Sequence, residues 1–256
     1  MSAISDTLRV SVIIITRNQC AFLERSLPLL SLQEGDTGAM SPEIIVVDSG
    51  STDGAQSIVW ASGARLVCLP PASFNYARAH NAGAREATGD ILVRLSGDAV
   101  PAQTDWLQRL IEPFRDPQVA ATWGRQIPPL GVHNYVEQCF ETALRPPARG
   151  PRSYHHPVTP LGSGMAVRRT LWEAHPYDER LPQAEDYAFL RHWMRRGYTG
   201  VFVPDAPIIH GHHETVARAL RRSLTQSVVQ GMILSGWYDR LPLSPPRSVD
   251  APPAEC

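Results

Sequence analysis

The feature that most constrains the fold is a set of short, β-branched, almost wholly apolar runs separated by amphipathic stretches. Val10-Ser11-Val12-Ile13-Ile14-Ile15 shows no alternation of apolar and polar residues. A strand with one wet face would alternate, so this run predicts a strand covered on both faces, as in a parallel sheet. Residues 44–47, 66–69, 91–95 and 119–123 predict further strands. Between them lie helical stretches over 23–32, 53–61, 76–87 and 106–114. Pro28 is expected to kink or shorten the first helix. Gly89 is expected to close the third. Strands alternating with helices predict βαβ units, right-handed crossovers and a mostly parallel sheet, an α/β fold.

The second half reads differently. Residues 145–160 hold five prolines and His155-His156, which predicts a long loop. Residues 184–196 form an amphipathic helix with Phe189, Leu190, Trp193 and Met194 on one face. Residues 198–203 and 207–209 are short extended segments. Residues 216–234 form a helix with Leu220, Leu224 and Val228 on one stripe and Arg218, Arg221 and Arg222 beside it. That helix either packs on the domain or lies on an anionic membrane surface. The last 15 or so residues, rich in proline, are expected to be a disordered tail.

Composition removes several chemistries. All 24 basic residues are arginine. Without lysine there is no Schiff-base enzyme and no Walker P-loop. Arginine does not deprotonate in proteins, so a general base must be a carboxylate, histidine, cysteine or tyrosine. A net charge of −1 argues against a nucleic-acid partner. Cys20, Cys68, Cys139 and Cys256 form no C-x-x-C pair, so neither a zinc knuckle nor a disulfide framework is indicated. No run of about 18 apolar residues or signal-like leader occurs, so a cytoplasmic protein, peripheral to a membrane at most, is expected.

In an open α/β sheet the ligand sits beyond the carboxyl ends of the strands. Thr16, Arg17 and Asn18 follow the first strand, Asp48-Ser49-Gly50-Ser51-Thr52-Asp53-Gly54 the second, and Ser96-Gly97-Asp98 the fourth. Hydroxyls, amides, carboxylates and a cation thus meet on one rim, which suits a nucleotide. Singly, Asp48 and Asp98 read equally as turn residues and Asp53 as a helix cap. Asn75, Arg78, His80 and Asn81 sit at a helix start, which favours phosphate but also describes a solvated face. Glu185-Asp186 is either a helix N-terminus stabilised by negative charge or a general base with a neighbour. His210-Gly211-His212-His213 suggests a metal or phosphate site.

The order of these pieces resembles the family 2 glycosyltransferases of GT-A fold. The specific matches are residues 10–18, the run Glu43 to Gly54, Asn81-Ala82-Gly83-Ala84 leading into a strand, and Leu95-Ser96-Gly97-Asp98-Ala99-Val100-Pro101. The last is similar to a rhamnosyltransferase-like subgroup that keeps only the later aspartate of Asp-x-Asp. The resemblance implies one domain over 1–240, with a nucleotide-sugar-binding half at 8–125 and an acceptor-binding, catalytic half at 126–240. It also implies a nucleotide-diphosphate sugar donor and Mg²⁺ or Mn²⁺. Thr16, Arg17, Asn18, Asp48, Ser49, Arg78, Asn81, Ser96 and Gly97 would then bind the donor, with Arg78 replacing a cation that relatives carry at His80. Asp98, with His210 or His212, would hold the metal. Gly162, Ser163 and Gly164 would line the acceptor side. Asp186 would be the base, beside Glu185, and the acceptor a glycan, a lipid-linked sugar or a small molecule. The alternatives are a non-catalytic nucleotide-sugar or glycan binder, motivated by Ser96 in place of a carboxylate, and a nucleotidyltransferase.

Overall fold

A computed structural model describes residues 8–35, 38–129, 150–155, 160, 162–211 and 216–237. The strands are β1 (Val10–Thr16), β2 (Glu34–Gly35), β3 (Gly38–Ala39), β4 (Glu43–Asp48), β5 (Arg65–Cys68), β6 (Ile91–Ser96), β7 (Val100–Pro101), β8 (Val119–Ile127), β9 (Arg152–Tyr154), β10 (Gly164–Arg168) and β11 (Thr199–Ile209). The helices are α1 (Cys20–Ser31), α2 (Ala55–Ser62), α3 (Tyr76–Glu86), α4 (Trp106–Ile111), α5 (Arg169–Ala174), α6 (Glu185–Met194) and α7 (Val216–Leu234).

One twisted sheet runs in the order β5-β4-β1-β6-β10-β8-β11-β7, with β9 on β11. β5, β4, β1 and β6 are parallel. All seven residues of β1 are buried, as a strand covered on both faces requires. On one face Val12, Ile14, Val93 and Leu95 pack against Leu23, Leu27 and Leu30 of α1 and Trp106 and Leu110 of α4. On the other, Ile13, Ile15 and Ile45 pack against the alanines of α3 and against Phe189, Leu190 and Trp193 of α6. Each fully buried aliphatic side chain contributes about 2 kcal/mol. α3 lies so close to the sheet that a methyl on Gly83 would run into Ile13.

Two expectations are corrected, on Pro28 and on the cysteines. Helix α1 runs through Pro28 to Ser31, so the proline does not shorten it. The sheet is mostly parallel, as expected, since β8 and β11 also pair parallel; β10, where the sequence shows no strand signal, runs antiparallel between β6 and β8. Cys20 is a free thiol, whereas Cys68 is in a disulfide.

The antiparallel run of β10 matters for the site. Its first residue pairs with Leu95 near the carboxyl end of β6, so the preceding turn, Gly162-Ser163, meets the Ser96 loop. The two extended segments near the end form a single strand, β11, with an irregularity between Val203 and Ile208. Ile209 pairs with Val100 of β7, which brings His210 beside the Asp98 loop.

Candidate active site

The rim after β1 and β4 is built by mutual capping. Asn18 adopts a left-handed φ of 55°. Its Oδ1 accepts from Thr52 N at 2.7 Å, and its own N–H donates to Ser51 Oγ. Asp53 accepts from Cys20 N at the start of α1 and from Ala55 N at the start of α2. Asp48 is buried and accepts from Gly50 N, Ser51 N, Ser51 Oγ and Gln56 Nε2. Its carboxylate therefore organises its own turn. Ser49 donates to Thr16 O. Arg17 is exposed on this rim, and no carboxylate among the described residues pairs with it.

Gly97 seals the loop after β6. Its N–H donates to Ile15 O, and a Cβ there would strike Gln19, Ile15 O and Thr16 Oγ1. Ser96 N donates to Ser163 O at 3.1 Å, which ties that loop to the turn before β10.

Beyond it Asp98 Oδ1 stands 3.3 Å from His210 Nε2, with Ser163 Oγ at 3.4 Å from the same nitrogen. His210 Nδ1 lies 3.1 Å from Gln126 Oε1. A proton on Nδ1, donated to that amide oxygen, leaves the Nε2 lone pair facing a carboxylate. Two Lewis bases set face to face suit a cation between them. Ligands held at about 2.1 Å on adjacent corners of an octahedral ion stand about 3 Å apart. Asp98 and His210 therefore fit a divalent metal as two of its ligands. Among the described residues no third His, Cys, Asp or Glu joins them. His212 lies outside the described residues.

The Glu185-Asp186 pair opens α6. Ala184, just before it, has φ 64° although it is not glycine, a strained conformation of the kind found at functional sites. Glu185 is buried and accepts from Arg94 Nη2 at 2.5 Å. Asp186 is partly exposed, though densely surrounded, and accepts from Tyr187 N at 2.7 Å. Burial first, and then the Glu185 charge, push its carboxyl up to about 6, against the pull of Arg94. A methyl on Gly162 would overlap the Asp186 carboxylate, so the turn before β10 borders Asp186 directly. The phenol of Tyr76, at the start of α3, is pushed up by burial and then by the Glu185 and Asp98 carboxylates. The Gly162-Ser163 turn reaches Asp186 through its first residue and His210 through its second.

Three sequence-derived candidates do not join this group. Arg78 Nε donates to Glu179 and its Nη1 to Ser73 O, so its charge is already used. Asn81 is buried: it donates to Tyr177 O and Glu179 and accepts from Trp172 Nε1 and Tyr177 N. It anchors the segment before α6. Gly164 is a packing position, against Ile208.

One residue was missed. Arg94 is only 4% exposed, stacks over the Tyr177 ring at 4.7 Å and leaves Nε and Nη1 without a partner. The signal was present: a lone arginine within Ile91-Leu92-Val93-Arg94-Leu95, a strand read as buried on both faces, must have a buried carboxylate partner.

The sheet order and this rim define an α/β protein of the GT-A type. Residues 11–173, well over half of the chain, match the model of Glycosyl transferase family 2, and the chain belongs to that family. It is 27% identical over 191 residues to the O-antigen chain rhamnosyltransferase WbaN of Salmonella anatum, covering 70% of this chain and 60% of that protein. It is 27% identical over 212 residues to RfbN of Salmonella typhimurium, also named an O-antigen chain rhamnosyltransferase, covering 77% and 65%. The chain thus spans under two thirds of the length of these curated relatives. Among solved structures it is similar to a mannosyltransferase of Pyrobaculum calidifontis in complex with GDP-Man and Mn²⁺, with TM-score 0.68, 22% identity, 94% of this chain and 67% of that one. It is also similar to glucosyl-3-phosphoglycerate synthase of Mycobacterium tuberculosis, with TM-score 0.60, 20% identity, 89% and 79%.

Proposed function

We propose that the chain is an inverting glycosyltransferase, moving a sugar of rhamnosyl type from a nucleotide-diphosphate donor to an acceptor hydroxyl in surface-polysaccharide synthesis. The supporting observation is the placement of Asp186: a carboxyl partly open to solvent, against Gly162, whose neighbour Ser163 lies against His210 beside Asp98. The names of the two Salmonella relatives support the sugar and the product class.

The residues divide the work as follows. Thr16, Asn18, Asp48 and Ser49 shape the donor rim, and Arg17 supplies its free cation. Ser96 and Gly97 bring the backbone close to the donor. Asp98 and His210 would hold a divalent metal, which would supply Lewis-acid neutralisation of the leaving diphosphate. The Gly162-Ser163 turn borders the acceptor. Asp186 takes the acceptor proton as the oxygen attacks the anomeric carbon opposite the diphosphate. Arg94 acts through Glu185 as a positioning residue, fixing the first turn of α6.

Ionisation follows from the same geometry. The base must be deprotonated, so kcat/KM should rise with pH through about 6 and level off above it. Protonation of Asp186 is easier in the folded chain than in the unfolded one. Its contribution to stability therefore grows as pH falls through about 6, opposite in direction to its effect on rate. A pH–rate profile with no acidic limb in that range contradicts the assignment.

Gly162→Ala places a methyl in the Asp186 carboxylate. Moving a base by about 1 Å costs on the order of 10²-fold in rate. The expected outcome is a loss of kcat of that size with little change in Tm. Full activity in this variant would place the base elsewhere.

A further inference from the structure

Helix α7 has two apolar faces and uses one. Val229 and Ile233 are buried against Leu181, Ala184 and Tyr187, which flank and open α6. On the opposite side Leu220, Leu224, Val228 and Leu234 are 49%, 66%, 55% and 54% exposed. At 3.6 residues per turn these four fall within an arc of about 120° and run for about 20 Å. The positions between them are Ser227, Gly231 and Ser235, so no long polar side chain interrupts the stripe. By sequence this stripe fits either packing on the domain or contact with a membrane. The structure removes packing within the described residues.

We infer that this face of α7 docks on an anionic lipid bilayer. Charge selects the occupant. From Val216 to Trp237 there is no carboxylate, and Arg221 borders the stripe, about 100° around the helix from Leu220. At its far end Arg191 Nη2 donates to Leu234 O, and Arg195 and Arg196 are exposed just beyond α6. Trp237, 48% exposed, closes the row, and indole rings favour the headgroup boundary. A second copy of the same face would set arginine against arginine, whereas acidic headgroups complement both ends of the stripe. An amphipathic helix of this kind buries its apolar face about 5–10 Å deep, at the boundary of headgroups and acyl chains. Because α7 packs beside the first turn of α6, docking sets the base-side of the cleft next to the membrane. On the transferase reading proposed above, this favours an acceptor that is itself held in lipid. The docking does not depend on that reading.

Flotation with vesicles tests the docking apart from catalysis. The chain should co-float with phosphatidylcholine mixed with phosphatidylglycerol, less at high salt, and not with phosphatidylcholine alone. Leu224→Asp should weaken partition on the order of tenfold, since it replaces an inserted apolar group with a like-charged one. Its exposure means the fold survives, which an unchanged circular dichroism spectrum checks. Absence of flotation with mixed vesicles overturns the inference. So does flotation that Leu224→Asp and Val228→Asp leave unchanged, or a concentration-dependent dimer in sedimentation that Leu224→Asp dissolves. If the vesicle result holds while no sugar transfer is found, the docking stands and the transferase reading fails.

Discussion

Asp186→Asn should lower kcat by about 10²–10⁴-fold, the usual contribution of a positioned general base, while donor binding stays largely intact. The asparagine is isosteric and can still accept from Tyr187 N through its amide oxygen, so the turn of α6 keeps its shape. Stability at neutral pH should not fall, because burial and Glu185 oppose the carboxylate charge that the substitution removes. Single-turnover kinetics beside a donor titration separate the two effects. Normal turnover in this variant would show that the acceptor proton goes to another group.

The second large effect concerns the buried pair beneath that base. Arg94→Met leaves the Glu185 carboxylate in a site where both side chains are almost wholly buried, at 5% and 6% exposure. Breaking a buried pair from one side costs about 3–5 kcal/mol, whereas removing both partners is often neutral. Arg94→Met alone should therefore lower Tm markedly, and adding Glu185→Gln should recover much of the loss. Activity should not recover with it. Without the anchor between β6 and α6, the first turn of α6 is no longer held, and the strained Ala184 can relax. If the double variant regains both stability and rate, the pair serves folding alone. A pH profile adds a readout that folding does not move. Arg94 pulls the Asp186 carboxyl down and Glu185 pushes it up, so Arg94→Met should move the acidic limb to higher pH and Glu185→Gln to lower pH.

Much of this site was legible because its determinants are local. A run such as Val12-Ile13-Ile14-Ile15 can only be a strand with two covered faces. The polar residues that end β1, β4 and β6 then share a rim by the parallel register, Thr16 with Asp48 and Ile15 with Ser96. The Glu185-Asp186 and His210 motifs were visible as residues, but their convergence was not. It depends on β10 entering antiparallel and on β7 pairing with the end of β11, pairings between segments far apart in the chain. Gly164 to Arg168 is too short and too mixed to announce a strand. Arg78 is the reverse case. Its place at a helix start suggested a phosphate, but Glu179, about a hundred residues away, takes the guanidinium. Asp48 likewise looked like a ligand contact and is committed to its own turn. Side-chain partners set by tertiary structure decide such cases, whereas Arg94, a lone charge in a buried strand, is legible in the sequence.

The central claim is that the Asp186 cleft, with Asp98 and His210, transfers a sugar from a nucleotide-diphosphate donor. The most direct measurement is product release from nucleotide sugars by the wild-type chain, with and without Mn²⁺ or a chelator, beside Asp186→Asn. The account expects nucleoside diphosphate, released with the metal and an acceptor, suppressed by the chelator and lost in the variant. Pyrophosphate as product would make the protein a nucleotidyltransferase. Tight binding of a nucleotide sugar with no release under any condition would make it a non-catalytic binder, and either result contradicts the account.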